Sequence, residues 1–257
     1  MKIHHIRSAT FIIEKENNFI LVDPMLAPKG SIVPFAFFRH KPVRNPVVGI
    51  PGVSNNLLDK VTHVLITHPH PDHLDGDGIK FLRERNIPVI CSEHHKKKLE
   101  KKGLNVVQAL QFWEPQCFLN GTITGIPGKH GYGFIAKPMG SVMGFHIQFD
   151  DKTSIYISSD TIYTEDVDKV FQELKPNLSV LAAGSAQFDL GGPLLMNHDD
   201  LIRFTQNAPC KVYANHMEAV NHCPTTRGKL KDLLEANQLM EKVFIPDDGE
   251  TFEIDGK

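Results

Sequence analysis

The stretch Thr67-His68-Pro69-His70-Pro71-Asp72-His73 follows directly on the apolar run 61–66 and holds three histidines and an aspartate. Neutral imidazole and carboxylate oxygen are ligands that borderline divalent metals prefer. Pro69 and Pro71 lack amide donors and resist helical geometry, so His68 and His70 are expected on an extended or turning loop. Their side chains can then converge on one point instead of lying along a helix face. The stretch therefore predicts a metal site at the carboxyl end of a buried strand.

Composition places the chain among ordinary globular proteins. Of its 257 residues, 41% are hydrophobic and 23% are charged, and the formal net charge is -2. Because no global basic field attracts nucleic acid, we expect no nucleic-acid partner. The chain opens without an apolar signal core, and no apolar stretch approaches the ~18 residues of a membrane span. These features predict a cytoplasmic protein with no membrane partner.

Histidine is the unusual residue, with 14 copies along the chain. Those at positions 4, 5, 94 and 95 have no strand-end context and are expected at the surface. The four cysteines lie far apart and form no CxxC pair, so neither a disulfide framework nor a thiolate zinc site is indicated. We expect small buried or half-buried side chains at Cys91, Cys117, Cys210 and Cys223.

Strand-like and helical patterns alternate along most of the chain. Helices are predicted at 76–85, 92–103, 164–174, 199–207 and 226–238. Strands are predicted at 2–6, 10–15, 18–22, 61–66, 88–91, 104–107, 122–126, 142–149, 153–157, 178–182, 211–214 and 242–245. Because the second face of a sheet must also be covered, this order predicts an α/β (α+β) fold of two mixed sheets packed face to face with helices outside. No composition break marks a linker, so we expect a single domain over residues 1–257.

Residues 24–52 have a different character. Six prolines interrupt this segment and its aromatic cluster, so neither a helix nor a central strand is sustained. Long loops inside compact domains often serve as lids or binding loops, and the aromatic residues favour an ordered flap over a pocket. The same side chains, Phe35, Phe37 and Phe38, could instead close a subunit interface, which would make the protein a homo-oligomer.

Three more residues of metal-binding type lie just past later strands. His130 follows strand 122–126 in a glycine-containing loop that lets backbone approach closely. Asp160 ends a strand rich in β-branched and aromatic residues, where a carboxylate is either a helix N-cap or a metal bridge. His216 follows strand 211–214. The repeated placement favours ligand roles for all three.

The order His68-x-His70-x-Asp72-His73, then His130, Asp160 and His216, resembles the metallo-β-lactamase superfamily, and the resemblance covers essentially the whole chain. The opening segments 12–13 and 20–24 and the segment 158–161 further resemble the branch that contains L-ascorbate 6-phosphate lactonase. The resemblance implies a four-layer αββα sandwich holding two divalent metal ions. It implies one ion on His68, His70 and His130, a second on Asp72, His73 and His216, and Asp160 bridging both.

Zinc is the first expectation for such a histidine-rich set, and manganese or iron is compatible with mixed nitrogen and oxygen ligands. Pro71 stands where the diiron flavoprotein branch usually has a glutamate ligand, which argues against an oxygen-reducing role. Every expected ligand position is filled by a competent residue, so a binding protein that keeps metals only for structure is disfavoured.

The leading functional prediction is a metal-dependent hydrolase whose metal-bridging hydroxide attacks a small-molecule ester, lactone or amide. Analogy with the branch favours a lactonase-like enzyme. Asp72 would orient the nucleophile, and His222 would either contact the substrate or donate a proton to the leaving group. The alternative is a phosphodiesterase or nuclease acting on RNA, cyclic nucleotide or phospholipid, although a nuclease is expected to show a basic groove.

Secondary candidates surround this set. Asp23 either holds the second nitrogen of a ligand histidine or is an ordinary turn aspartate before Pro24. Asp75 either supports the metal site in the same way or caps the helix that starts near residue 76. The substrate could be anionic, and an anionic group would be bound by Arg39, Lys129 or Tyr132.

Overall fold

The computed structural model describes residues 1–254 and contains two seven-stranded sheets. The strands are β1 (Lys2–Arg7), β2 (Thr10–Lys15), β3 (Asn18–Val22), β4 (His63–Ile66), β5 (Val89–Ser92), β6 (Val106–Leu110), β7 (Pro115–Phe118), β8 (Gly121–Gly128), β9 (Val142–Phe149), β10 (Ser154–Ile157), β11 (Leu178–Ala182), β12 (Lys211–Asn215), β13 (Val243–Phe244) and β14 (Thr251–Glu253). The helices are α1 (Asn55–Leu58), α2 (Gly76–Glu84), α3 (Glu93–Glu100), α4 (Ala136–Met139), α5 (Glu165–Lys169), α6 (His198–Asn207) and α7 (Arg227–Ala236).

Both sheets are mixed. The first has the order β14-β1-β2-β3-β4-β5-β6, antiparallel from β14 to β3 and parallel from β3 to β6. The second has the order β13-β12-β11-β10-β9-β8-β7, parallel from β13 to β10 and antiparallel from β10 to β7. The predicted αββα sandwich of two mixed sheets is therefore confirmed. Of the predicted single domain 1–257, residues 255–257 lie outside the described part.

The alternation of side chains along each strand explains how the layers hold together. In β4, Leu65 lies in the core between the sheets, whereas Val64 and Ile66 pack on the outer face with α2 and α3. Successive strand residues point to opposite faces, so a strand covered on both faces is apolar throughout. Each fully buried leucine or isoleucine contributes about 1.5–3 kcal/mol relative to an exposed one. This burial fixes the strand whose following loop carries the first histidine cluster.

The caps of the outer helices follow the sequence. The side chain of Asp75 accepts the amide hydrogen of Gly78 at 2.7 Å and begins α2, and Ser92 caps α3 by accepting from His94. Asp75 also accepts from the amide of Ala27 at 2.7 Å. Of the two interpretations of Asp75, the structure supports helix capping, since these contacts involve no ligand histidine.

Some short elements were not predicted. Strands β7 and β14 are edge strands, and β7 begins with Pro115, a residue tolerated at the first position of an edge strand but usually taken to interrupt one. Helices α1 and α4 have four residues each, too few to show a helical period. The predicted helix 164–174 is divided into α5 and a π-helical turn over Val170–Leu174.

Two predictions about burial were wrong in part. His4 and His5 are buried because β1 lies between β2 and β14, and His5 Nδ1 lies 2.7 Å from the hydroxyl of Tyr213. The expectation for the cysteines fails at Cys117, which is exposed on the edge strand β7, whereas the other three are buried or half-buried. No disulfide joins any cysteines in residues 1–254.

The loop 24–52 is irregular, as predicted, and its base is firmly held. The guanidinium of Arg7 is fully buried at the end of β1 and donates to the carbonyls of Met25, Ala27 and Val48 at 2.8, 2.6 and 2.9 Å. A single side chain thus joins both ends of the loop to the first sheet. Across residues 1–254, no helix combines the length and apolar character needed to cross a bilayer.

Candidate functional site

Five strands end at the same edge of the sandwich. In the first sheet these are β3 and β4, and in the second they are β8, β10 and β12, all running in the direction that brings their carboxyl ends together. Side chains from separate parts of the chain therefore meet there. The loops that follow these strands carry Asp23, the segment 68–73, His130, Asp160 and His216.

Asp160 lies at the centre of the histidine cluster. Its Oδ2 is 3.2 Å from Nε2 of His73, 3.5 Å from His216, 3.6 Å from His130 and 4.0 Å from His68. The carboxylate is 2% exposed, so its negative charge acts in a nearly dry environment. One buried oxygen therefore faces imidazoles from three different loops.

The structure brings all seven predicted ligands together in overlapping groups. Within each group the donor atoms lie within 4.8 Å of one another. The groups are His68, His70 and His130; His68, His73 and Asp160; and Asp72, His73 and His216. The first and third coincide with the two ligand sets that the family resemblance implied, and Asp160 lies between them.

The donor atoms of this cluster fit divalent metal ions. Nε2 of His73 and Nε2 of His216 face each other at 3.0 Å, a contact that needs a proton or a cation to be favourable. Among residues 1–254, Nε2 of His68 and Oδ1 of Asp160 are buried with no hydrogen-bond partner. Buried polar atoms rarely stay unpaired. Imidazole nitrogen and carboxylate oxygen in this number are the donor set of zinc, iron or manganese.

The electrostatics also favour positive charge. Burial opposes ionisation of Asp160, but the facing imidazoles of His216 and His73 lower the pKa of this carboxyl well below its ordinary value. Burial likewise lowers the pKa of His73, but the charges of Asp160 and Asp23 outweigh it and raise the pKa to about 10. Both shifts arise because the buried carboxylates hold a cation strongly. A divalent ion would satisfy the same field.

Asp23 orients one of the ligand histidines. Its Oδ2 lies 2.8 Å from Nδ1 of His73 and accepts from the hydroxyl of Thr67 at 2.7 Å, while its Oδ1 accepts from the amide of Thr67 at 2.8 Å. A carboxylate at Nδ1 fixes the tautomer in which Nε2 is free to face the cluster. Of the two interpretations of Asp23, the structure therefore supports the one that holds a ligand histidine.

A cavity of about 190 Å³ opens beside the cluster. Its apolar wall is formed by Phe35, Pro71, Met139, Phe188 and Leu194, and its polar side by His70, Asp72, His130 and His222. Among the described residues, no lysine or arginine lines this cavity. Larger cavities of about 490 and 550 Å³ elsewhere contain none of the seven ligand candidates. Of these three cavities among the described residues, the smallest is the one in which ligand candidates and an apolar wall occur together.

His222 occupies the wall of this cavity next to Asp72. Its Nε2 is 3.8 Å from Oδ2 of Asp72, and its ring stacks on Phe188 at 5.5 Å between centroids while the edge of Phe35 approaches at 5.1 Å. Burial lowers the pKa of His222 to about 4. The imidazole is therefore neutral at pH 7, and Nδ1 is buried with no hydrogen-bond partner in residues 1–254. A neutral ring keeps one N–H group to donate.

The loop 24–52 contributes to the pocket in the way predicted for a flap. Phe35 lines the cavity, whereas Phe37 and Phe38 are 52% and 93% exposed. The alternative in which these phenylalanines close a subunit interface stays a prediction.

The anion-binding interpretation of three residues stays a prediction, and all three lie outside the lining of this cavity. The guanidinium of Arg39 donates to Gln187 and to the carbonyl of Gly191, and the hydroxyl of Tyr132 donates to Asp200. Lys129 is exposed and lines a different cavity. None of the three lines the cavity beside the cluster.

Some residues of the site gave no recognisable pattern in the sequence. Met139, Phe188 and Leu194 belong to the apolar wall but lie in irregular or very short elements. Cys223 has its Sγ 3.6 Å from Nδ1 of His216, so it lies behind a ligand candidate instead of in an ordinary core position.

Comparisons with known proteins cover nearly the whole chain. A family model described as "Beta-lactamase superfamily domain" matches residues 18–215. The YddR protein of Bacillus subtilis is 31% identical over 256 residues, 98% of this chain and 99% of that protein. The crystal structure of isothiocyanate hydrolase from Delia radicum gut bacteria is 30% identical with a TM-score of 0.89, covering 99% of both chains. That of a possible metal-dependent hydrolase from Veillonella parvula is 28% identical, with the same TM-score and coverage.

Proposed function

Because the chain belongs to the metallo-β-lactamase superfamily of metal-dependent hydrolases, we propose that it hydrolyses a small, uncharged molecule at an electrophilic carbon. The observation that carries this proposal is the cavity of about 190 Å³, whose apolar wall opens directly onto the histidine and aspartate cluster. A pocket of this kind binds an apolar group and leaves its reactive atom beside a few polar groups.

The cluster is proposed as a dinuclear metal centre. We assign one ion to His68, His70 and His130, the other to Asp72, His73 and His216, and Asp160 to both. Zinc is the first choice, and manganese or iron fits the same donors. When bound, the two ions would lower the pKa of a water molecule and stabilise negative charge on the attacked group.

Asp72 is proposed to orient the attacking water. Burial opposes its ionisation, but the nearby imidazoles of His73, His222 and His216 keep the pKa of this carboxyl below its ordinary value. The side chain is therefore an acceptor at neutral pH. Because it also lines the cavity, it can accept a hydrogen bond from water beside the substrate.

His222 is proposed to bind the leaving group or the developing negative charge. With a pKa of about 4, the imidazole is neutral at pH 7, so it can donate a hydrogen bond but carries no additional proton to transfer. The rings of Phe35 and Phe188 hold the imidazole in place, so little reorganisation is needed during the reaction. The same rings exclude water from the reacting group.

Within this class, an ester, lactone or amide carbonyl is the first substrate proposal, as the lactonase-like interpretation predicted. A phosphorylated lactone is a poor fit, because no cationic side chain among the described residues lines the cavity to bind the phosphate. The same feature disfavours a phosphodiesterase or nuclease, whose substrates are also anionic.

An isothiocyanate is the second candidate. The structure that is 30% identical over 99% of the chain is an isothiocyanate hydrolase by name. An isothiocyanate, R–N=C=S, is small and uncharged, and its central carbon is electrophilic. Water would add to that carbon, the carbon–nitrogen bond would break, and the nitrogen would receive both protons, giving an amine and carbonyl sulfide. The apolar wall of the cavity would hold the R group.

The proposal is tested by metal analysis and a substrate panel. The protein is loaded with zinc or manganese, its metal content is measured, and hydrolysis is followed for neutral aryl esters, lactones, alkyl and aryl isothiocyanates and a bis-aryl phosphodiester. Asp72→Ala serves as the inactive control. We expect turnover of an uncharged carbon substrate and none in the control. Cleavage of the phosphodiester alone by the folded, metal-loaded protein would overturn the proposal.

A further inference from the structure

The aromatic wall of the cavity is assembled from two loops that are distant in sequence. Phe35 comes from the flap, residues 24–52, and Phe188 comes from the segment 183–197 between β11 and α6. The two rings contact His222 from different directions, one edge-on and one stacked. The space between them therefore depends on how the flap is fixed to segment 183–197.

The flap is attached beside Phe35 by Asn221. Its Oδ1 accepts the amide hydrogen of Phe35 at 2.9 Å, and its Nδ2 donates to the carbonyl of Ala36 at 2.7 Å. Asn221 is also bonded to Asn45, on the returning part of the flap. These contacts join the flap to the loop that carries His222, the next residue in the chain.

The tip of the flap is attached by one carboxylate. Oδ2 of Asp189 accepts the amide hydrogen of Phe37, and Oδ1 accepts those of Phe38 and Arg39, each at 2.8 Å. Arg39 also crosses the junction and donates to the carbonyl of Gly191 at 3.1 Å. Asp189 directly follows Phe188, so the contact that holds the flap tip is one residue from the opposite wall.

We propose that Asp189 is a specificity-determining positioning residue, because its carboxylate latches the flap tip to the segment that carries Phe188 and so sets the width of the slot between Phe35 and Phe188. The apolar group of the substrate fits in that slot. The inference rests on the proposed function for the type of reaction, but the latch itself is a property of the fold.

Both oxygens and the charge of Asp189 take part in the latch. Backbone amides that converge on an anion make a strong, directional contact, and an amide side chain cannot replace it, since its NH₂ group would face a donor. The amide of Arg39 is the main cause that lowers the pKa of Asp189, so the carboxylate is ionised at neutral pH.

The latch is also the point at which the flap would open. The base of the flap is held by the buried guanidinium of Arg7, whereas the amides of residues 37–39 bond to Asp189 in exposed surroundings. Exposed backbone hydrogen bonds open locally at much lower cost than buried ones. Of the contacts that hold the flap, those to Asp189 therefore open at the lowest cost.

The kinetic test compares Asp189→Ala and Asp189→Asn with the matched control Asp199→Asn. Asp199 is an exposed aspartate in the first turn of α6 and lies outside the latch. Losing a charge-assisted contact of this kind is expected to raise KM about tenfold, with kcat and metal content close to wild type. The preference for small over bulky substrates should fall in both latch variants and not in the control. Asp189→Glu, which keeps the carboxylate, should recover part of the selectivity.

A second readout needs no turnover. Hydrogen exchange of the amides in residues 35–43 should accelerate in Asp189→Ala and remain slow in Asp199→Asn. If the wild type hydrolyses nothing in the panel, the proposed function fails, while hydrogen exchange still tests the latch. Unchanged exchange in Asp189→Ala would overturn the latch. Faster exchange with unaltered KM and unaltered substrate preference would overturn its role in specificity.

Discussion

The histidine and aspartate cluster and the apolar wall opposite it face the same cavity but are built differently. Each side chain of the cluster lies within a few residues of a buried strand end, and Asp23 fixes one of the histidines from behind. The wall comes from irregular loops, of which one is held at its tip by the carboxylate of Asp189. The sandwich therefore determines the chemistry, whereas loop contacts that can vary without disturbing the sheets determine what is bound.

The strongest way to test this division is to remove the carboxylate at the centre of the cluster. Asp160→Ala deletes the oxygen that faces four imidazoles and leaves His73 and His216 opposed at 3.0 Å. We expect loss of bound metal and a fall in kcat/KM of about 10³-fold. Metal content and steady-state kinetics measure both effects. Asp150→Ala, at an exposed site, is the control, and full metal loading with wild-type turnover in Asp160→Ala would contradict the assignment.

A smaller loss of metal affinity is expected at Asp23, which contacts the ligand candidate His73 but is not a ligand candidate itself. Asp23→Asn keeps the size of the side chain but replaces the charged acceptor at Nδ1 of His73 with an amide. Because partners of this kind fix the tautomer of a ligand, metal affinity should fall about 10- to 100-fold. Competition with a chromogenic chelator measures the dissociation constant. An unchanged affinity would contradict the role assigned to Asp23 in orienting His73.

Truncation of the apolar wall should affect substrate binding and leave metal binding unchanged. Phe188→Ala removes the ring that stacks on His222 and widens the cavity. The lost apolar contact should raise KM about tenfold or more for a substrate with a compact apolar group. Bound metal should not change, and bulkier substrates should gain relative to small ones. Loss of metal in this variant would contradict the separation between cluster and wall.

The same division explains what the sequence could predict. The cluster was predictable because its information is local: His68, His70 and Asp72 directly follow an apolar strand, and His130, Asp160 and His216 repeat that placement. The mixed sheets followed from patterns of four to eight residues, since alternation and β-branched residues are properties of each strand alone.

The wall was not predictable, because its members meet only through tertiary structure. Phe188 and Met139 lie in elements with no periodic pattern, and nothing in their neighbours in sequence indicates Phe35 as a partner. The prediction for His5 was wrong for the same reason. It was expected at the surface, but Tyr213 and Asp248, far along the chain, cover it.

One further histidine sharpens the comparison, because it is buried outside the cluster. His146 lies in β9, is 4% exposed, and its Nε2 has no hydrogen-bond partner in residues 1–254. Burial lowers its pKa to about 4 from an ordinary 6.5. The unfolded chain then binds a proton that the native protein does not. The contribution of the neutral His146 to the free energy of unfolding is therefore fully present above pH 6.5 and is lost as the pH drops towards 4.

His146→Leu should remove this pH dependence and leave turnover at pH 7.5 unchanged, the smallest catalytic effect of the series. Between pH 7.5 and 5.0 the wild type should lose about 2 kcal/mol more unfolding free energy than the variant. Urea unfolding of the metal-free proteins measures this, since titration of the cluster is common to both and cancels in the difference. Equal losses would show that His146 is protonated in the native state. A buried imidazole without carboxylate neighbours would then hold a proton as His73 does beside Asp160 and Asp23, and the surroundings of the two histidines would not explain their pKa values.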